Sequence, residues 1–144
     1  MSKPIENIGV IRESRPDENR TPLVPDHIQK IKSKYPNLNI LVQPSKNRCF
    51  TDDEFKSKGA EINEDLSNCS IIFGVKEIDT SVLMENKTYV FFSHTYKLNK
   101  ETLNNAQGTP GMDKKELLRS IIKKKNKLID YENIRDIKGT RYLG

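Results

Sequence analysis

Two runs of this chain end in side chains that can move protons. Thr88-Tyr89-Val90-Phe91-Phe92 leads into Ser93-His94-Thr95-Tyr96-Lys97, and Ser70-Ile71-Ile72-Phe73-Gly74 leads into Val75-Lys76-Glu77. An imidazole is the side chain best suited to proton transfer near neutral pH, and a lysine becomes useful as a base once it is partly buried. Taken singly, each has a plain reading: His94 as a structural histidine behind a strand, Lys76 as a solvated lysine, Lys97 as surface charge, Glu77 as a solvated acid. Their functional readings are an acid–base pair for His94 and Lys76, a carboxylate ligand for Lys97, and an orienting partner of a lysine for Glu77. Arg20, in Glu18-Asn19-Arg20-Thr21-Pro22, carries a planar fork that can hold a substrate carboxylate, unless it is spent on Glu18 at the surface. His27 falls at a helix start and reads as a surface residue. The joint placement of two lysines, a histidine and an arginine just past strand ends is required by no helical or strand periodicity.

The elements that must position them alternate along the chain. Ile8 to Ile11 reads as a strand, and Pro25 opens a helix whose face is marked by Ile28, Ile31 and Tyr35 before Pro36 stops it. Asn39 to Val42 is a second strand. Thr51-Asp52-Asp53-Glu54 is a capping box that starts a short helix ending near Gly59. Ala60 to Ile62 reads as a minor strand, Ser70 to Gly74 and Thr88 to Phe92 as the central ones, and Ser81 to Met84 as a turn of helix between them. Asp113 with Glu116 opens a Lys-rich helix with Leu117, Leu118, Ile121 and Ile122 on its core side. Lys127 to Ile129 and Arg141 to Leu143 close the series as strands. Strand and helix in alternation imply an α/β domain with a mainly parallel sheet and helices on both faces. Open sheets of that kind bind ligands at the strands' carboxyl ends, where His94 and Lys76 fall. The loops Glu13 to Val24 and Leu98 to Met112 are long enough to suggest a functional role.

Composition narrows the class. The chain has 144 residues, 34% of them hydrophobic and 31% charged, enough for one domain with a modest core. No apolar run approaches the roughly 20 residues that span a bilayer, so no membrane partner is expected. No signal pattern precedes the first strand, which points to a cytoplasmic protein. Cys49 and Cys69 have no metal-ligand spacing and read as simple thiols. The net charge of +5 is concentrated between Lys114 and Lys127 on the back of an amphipathic helix, without interleaved aromatics, so nucleic acid is not an expected partner. There is no GxGxxG and no phosphate-binding loop, hence no cofactor cradle in this chain.

Several ordered motifs carry a family likeness: Ile8-Gly9-Val10-Ile11-Arg12-Glu13, Asn19-Arg20-Thr21-Pro22-Leu23, Val42-Gln43-Pro44-Ser45, Gly59-Ala60, Phe73-Gly74-Val75-Lys76-Glu77, Phe91 to Lys97, and Leu128 to Glu132. With them the chain resembles the N-terminal domain of the alanine dehydrogenase and pyridine-nucleotide transhydrogenase superfamily. Within it the likeness is closest to lysine-forming saccharopine dehydrogenase and lysine–ketoglutarate reductase. The resemblance implies a Rossmann-like (flavodoxin-like) substrate-binding domain spanning residues 1–144. It implies Lys76 and His94 as the acid–base pair, with Arg20 and Lys97 on substrate carboxylates. It implies an amino acid and a 2-oxo acid as substrates, and NAD or NADP bound by a separate C-terminal Rossmann domain, in cis or in trans. That domain should begin near Gly144, and without it the chain should have no turnover of its own. Leu98 to Asn105 interrupt the family pattern between Lys97 and Ala106-Gln107. A stand-alone, non-catalytic amino-acid-binding domain and an alanine dehydrogenase-like half are the alternatives.

Overall fold

The computed structural model describes residues 6–95 and 114–143. Its strands are β1 (Glu6–Val10), β2 (Leu38–Val42), β3 (Glu61–Ile62), β4 (Ile71–Phe73), β5 (Thr88–Phe91) and β6 (Lys127–Asp130). Its helices are α1 (Pro25–Lys34), α2 (Asp52–Ser57) and α3 (Lys114–Lys123), with single 3-10 turns at Thr80–Val82 and Tyr131–Asn133. The strands form one sheet in the order β3-β2-β1-β4-β5-β6, and every neighbouring pair is parallel. This is the doubly wound order, with its switch point between β1 and β4.

The helices of the two halves of the sheet pack on its opposite faces. On one face Ile28 of α1 and Phe55 of α2 pack on Ile8, Val10, Ile40 and Val42. On the other, Leu117 and Ile121 of α3 pack on Ile72, Tyr89 and Phe91. The period-2 alternation of each strand assigns its residues to these two layers. Gly9 lies where the crossover to β4 passes closest. A Cβ there would stand 3.2 Å from both Cys69 Sγ and Leu66 Cδ1.

Local chemistry sets the helix ends. Pro25 starts α1, where its missing N–H costs nothing. The capping box of α2 is formed: Thr51 Oγ1 accepts from Glu54 N at 3.1 Å, and Glu54 Oε2 accepts from Thr51 N at 2.7 Å. Two predicted stripes are narrower than the sequence suggests. Tyr35 caps α1 and is 54% exposed, and Ile122 is 67% exposed because Leu117 and Ile121, one turn apart, already fill the groove under α3. Asp113, proposed to open that helix, lies outside the described residues.

The predicted last strand at Arg141 to Leu143 is not one. The chain turns back at Asp136, whose Oδ1 accepts from Lys138 N and Thr140 N at 2.8 Å each. Arg141 then makes only an isolated antiparallel bridge to Arg135. The Asp-centred turn spends the segment on a local hairpin, so it never reaches the sheet.

Candidate active site

The carboxyl ends of β1, β4, β5 and β6 meet at one edge. The ladder runs on past the strands there: Gly74 N donates to Val90 O at 2.9 Å, and Phe92 N to Val75 O at 3.0 Å. Lys76 and His94 therefore leave adjoining strand ends, one and two residues beyond that last bond. Lys76 is half-buried and its ammonium has no hydrogen bond or ion pair among the described residues.

His94 is held in the left-handed region, with φ at 57°. A non-glycine residue there is strained and needs support. Asp130, at the end of β6, supplies it. Its Oδ2 accepts from Ser93 N and His94 N at 3.2 Å each and from Ser93 Oγ at 2.6 Å, while Oδ1 accepts from Glu132 N at 3.0 Å. Because Ser93 gives its proton to the carboxylate, its oxygen accepts from Thr95 N at 3.2 Å and from the Thr95 hydroxyl at 2.9 Å. Ser93 is fully buried and Asp130 is 6% exposed. The network is a preorganised mount that fixes the main chain from which the imidazole projects.

The imidazole has its own surroundings. Nδ1 lies 3.3 Å from Oε1 of the nearly buried Glu132, at ion-pair distance but outside hydrogen-bonding geometry. The ring stacks at 6.5 Å on Phe92, which touches Tyr131 at 4.9 Å. Burial and the nearby Glu13 charge push the Tyr131 phenol up to about 12, so it stays a protonated donor at neutral pH. No described residue pairs with its hydroxyl.

Arg20 lies in the loop between β1 and α1. The sequence left it between a substrate role and a surface pair with Glu18, and the pair is formed. Arg20 Nε and Nη2 donate to the two carboxylate oxygens at 2.8 and 2.7 Å, and its N–H donates to Oε1 at 3.0 Å. The pair is not a surface one throughout: the Glu18 side chain is 8% exposed and that of Arg20 66%. Arg20 holds the Glu18 carboxyl down at about 2. The Nη1 edge of Arg20 has no partner among the described residues. Lys76 is near enough for its charge to lower Glu18 further. Glu77 is half-buried and faces the charge of Arg15. Lys97 and the Leu98 to Asn105 insertion lie outside the described residues.

Four acids and a phenol escaped the sequence reading as site residues: Glu13, Glu18, Asp130, Glu132 and Tyr131. The available signal was the one that found His94, namely polar residues just past an apolar run. It was missed at β6 because the apolar run was ended at Ile129, whereas Asp130 still pairs in register with Phe91.

The chain leaves β1 through Ile11-Arg12-Glu13 rather than a glycine turn, and the carboxylate of Glu13 takes the main-chain N–H groups of Val75 and Lys76. Among the described residues no group of three or more His, Cys, Asp or Glu could hold a metal ion, and no helix is long and apolar enough to cross a membrane.

A parallel sheet in the doubly wound order, with Lys76 and His94 just past adjoining strand ends, defines a Rossmann-like domain. Over residues 9–143 the chain matches the profile of the alanine dehydrogenase/PNT N-terminal domain, and it belongs to that family. It is 36% identical over 126 residues to the mitochondrial alpha-aminoadipic semialdehyde synthase of Mus musculus, covering 88% of this chain and 12% of that protein. It is 34% identical over 141 residues to alpha-aminoadipic semialdehyde synthase of Arabidopsis thaliana, covering 94% of this chain and 12% of that protein. The chain thus spans about an eighth of the length of these relatives. Among solved structures it superposes on the transhydrogenase from Sinorhizobium meliloti with a TM-score of 0.68 at 16% identity, covering 92% of this chain and 36% of that one. An L-alanine dehydrogenase superposes with a TM-score of 0.69 at 13% identity, covering 93% and 34%. At those identities the likeness is one of fold. The mouse relative is mitochondrial by name, so the cytoplasmic expectation finds no support there.

Proposed function

We propose that this chain is the substrate-binding and acid–base domain of an NAD(P)-dependent amino-acid oxidoreductase of the saccharopine type, acting on saccharopine or on lysine with 2-oxoglutarate. The observation that carries the reading is the convergence of Lys76 and His94 on adjoining strand ends, in a chain about one-third identical to alpha-aminoadipic semialdehyde synthases. The nicotinamide belongs to a separate Rossmann domain, in cis or in trans, and supplies the hydride chemistry when bound.

This chain's residues then handle protons and carboxylates. Making or breaking a C–N bond through an imine requires a proton to leave and return at nitrogen and another to be moved at the attacking or departing water. Lys76 and His94 follow adjoining strand ends and can divide those tasks. The free Nη1 edge of Arg20 suits a substrate carboxylate, with Glu18 fixing the guanidinium plane. Lys97 joins as a second carboxylate ligand on the strength of its motif alone.

Titration calorimetry on the full chain tests the reading. Saccharopine is expected to bind, and Arg20→Ala to weaken it at least about tenfold, the size of one charge-assisted contact. Binding of alanine or pyruvate in its place would move the chain to alanine dehydrogenase-like chemistry. Binding matched by full turnover in Lys76→Met and His94→Gln variants of the assembled enzyme would leave a binding domain without the proposed acid–base pair.

A further inference from the structure

We propose that Glu13 is a positioning residue, a clamp that locks the end of β4 to the end of β1 and so fixes the main chain from which Lys76 projects. The functional half of this rests on reading Lys76 as one of the acid–base pair; the clamp itself does not.

The need for a clamp follows from the sheet. β1 and β4 are joined by a last ladder bond, Ile11 N to Phe73 O at 3.0 Å. Gly74 N then turns to β5, bonding Val90 O. The next two amides, Val75 N and Lys76 N, have no main-chain acceptor. Both donate to Glu13: Oε1 accepts from Lys76 N at 2.7 Å and from Val75 N at 3.2 Å, and Oε2 accepts from Val75 N at 3.1 Å. Two consecutive N–H groups thus converge on one carboxylate. A second tether follows from the same loop, as Asp79 N donates to Ser14 Oγ at 3.3 Å.

The approach constrains the sequence on both sides. A Cβ on residue 74 would stand 3.2 Å from Ile11 Cγ2 and 3.5 Å from Glu13 Oε2, so the close passage of β4 beneath the carboxylate favours glycine. Burial raises the Glu13 carboxyl, while the two amides and the charge of Arg20 oppose that and Glu18 adds to it. From the β6 side the facing titratable group is the Tyr131 phenol. Both oxygens of Glu13 are occupied by main-chain donors. It is therefore placed to hold Lys76 rather than to take a substrate proton itself.

Amide hydrogen exchange on the full chain tests the clamp without reference to catalysis. In the wild-type protein Val75 and Lys76 amides are expected to be protected, although neither belongs to a ladder. In Glu13→Ala they should exchange at least about tenfold faster, while Ile11 and Gly74 amides keep their protection. Glu13→Gln, which keeps one acceptor oxygen, should restore most of the protection. In parallel, acylation of Lys76 by an amine-reactive reagent, followed by mass spectrometry across pH, should shift in rate and pH profile in Glu13→Ala and return toward wild type in Glu13→Gln. Unprotected Val75 and Lys76 amides in wild type overturn the clamp even if Glu13→Ala does not fold. A Lys76 profile identical in all three proteins overturns its positioning role. A protected, Glu13-dependent Lys76 in a protein with no saccharopine turnover would sustain the clamp and overturn only the proposed function.

Discussion

Replacing Asp130 with alanine should dismantle the mount of His94, and the cost can be worked from the network. Asp130 accepts four hydrogen bonds: from Ser93 N, Ser93 Oγ, His94 N and Glu132 N. Removing the carboxylate leaves the Ser93 hydroxyl free to turn, but strands three main-chain N–H groups in a buried site. A stranded buried donor costs about 1–3 kcal/mol. One water can enter the vacated volume and satisfy about one of the three. The remaining two give a loss of about 2–6 kcal/mol, a large part of the roughly 5–15 kcal/mol that holds a domain of this size folded. Asp130→Asn should cost less, about 1–2 kcal/mol, because its amide oxygen can keep the three bonds on the Ser93 side and only the Glu132 amide meets a donor. Urea unfolding followed by far-ultraviolet circular dichroism measures both, with an unchanged m-value to show that the same surface is exposed. A loss below about 1 kcal/mol for Asp130→Ala would refute the argument, as would equal losses for the two variants.

Other outcomes follow from single contacts. Glu18 is held at about 2 against its ordinary 4.5, chiefly by hydrogen bonds from Arg20, so the folded state gains from this acid above pH 4.5 and loses that gain as pH falls toward 2. In Arg20→Gln the carboxyl should titrate clearly higher in carbon-13 NMR, held down only by the remaining main-chain N–H and the Lys76 charge, and the protein should lose most of this source of acid sensitivity; a Glu18 that still titrates near 2 would contradict it. Gly9→Ala should destabilise by about 1–3 kcal/mol, since its Cβ meets Cys69 and Leu66 on the crossover, and thermal unfolding reads the loss. Leu117→Ala should cost about 2–5 kcal/mol by emptying the contact under α3, whereas Ile122→Ala on the exposed side should stay within about 0.5 kcal/mol in the same urea titration.

The frame, and the placement of part of the candidate site on it, were legible in the sequence for a physical reason. His94 and Lys76 follow short apolar runs rich in β-branched and aromatic residues, which read as buried strands, and a parallel sheet sends all its carboxyl ends to one edge. What the sequence could not show was pairing across distance. Asp130 lies 36 residues from His94 and Glu13 lies 63 from Lys76, so nothing local marks them as partners. Arg20 and Glu18 are only two residues apart, yet sequence spacing cannot say whether the pair is buried, and only the fold shows Glu18 8% exposed. The predicted strand at Arg141 to Leu143 failed for the opposite reason: its β-forming residues were real, but the Asp136 turn bound them locally first.

The measurement that bears most directly on the central claim is the pH dependence of kcat/KM for saccharopine oxidation by the assembled enzyme, wild type against Lys76→Met and His94→Gln. The account predicts a bell-shaped profile in wild type, with each substitution lowering kcat/KM by about 10²–10⁴ and removing one limb, while urea unfolding of the variants stays close to wild type. Full turnover with an unaltered profile in both variants would contradict it.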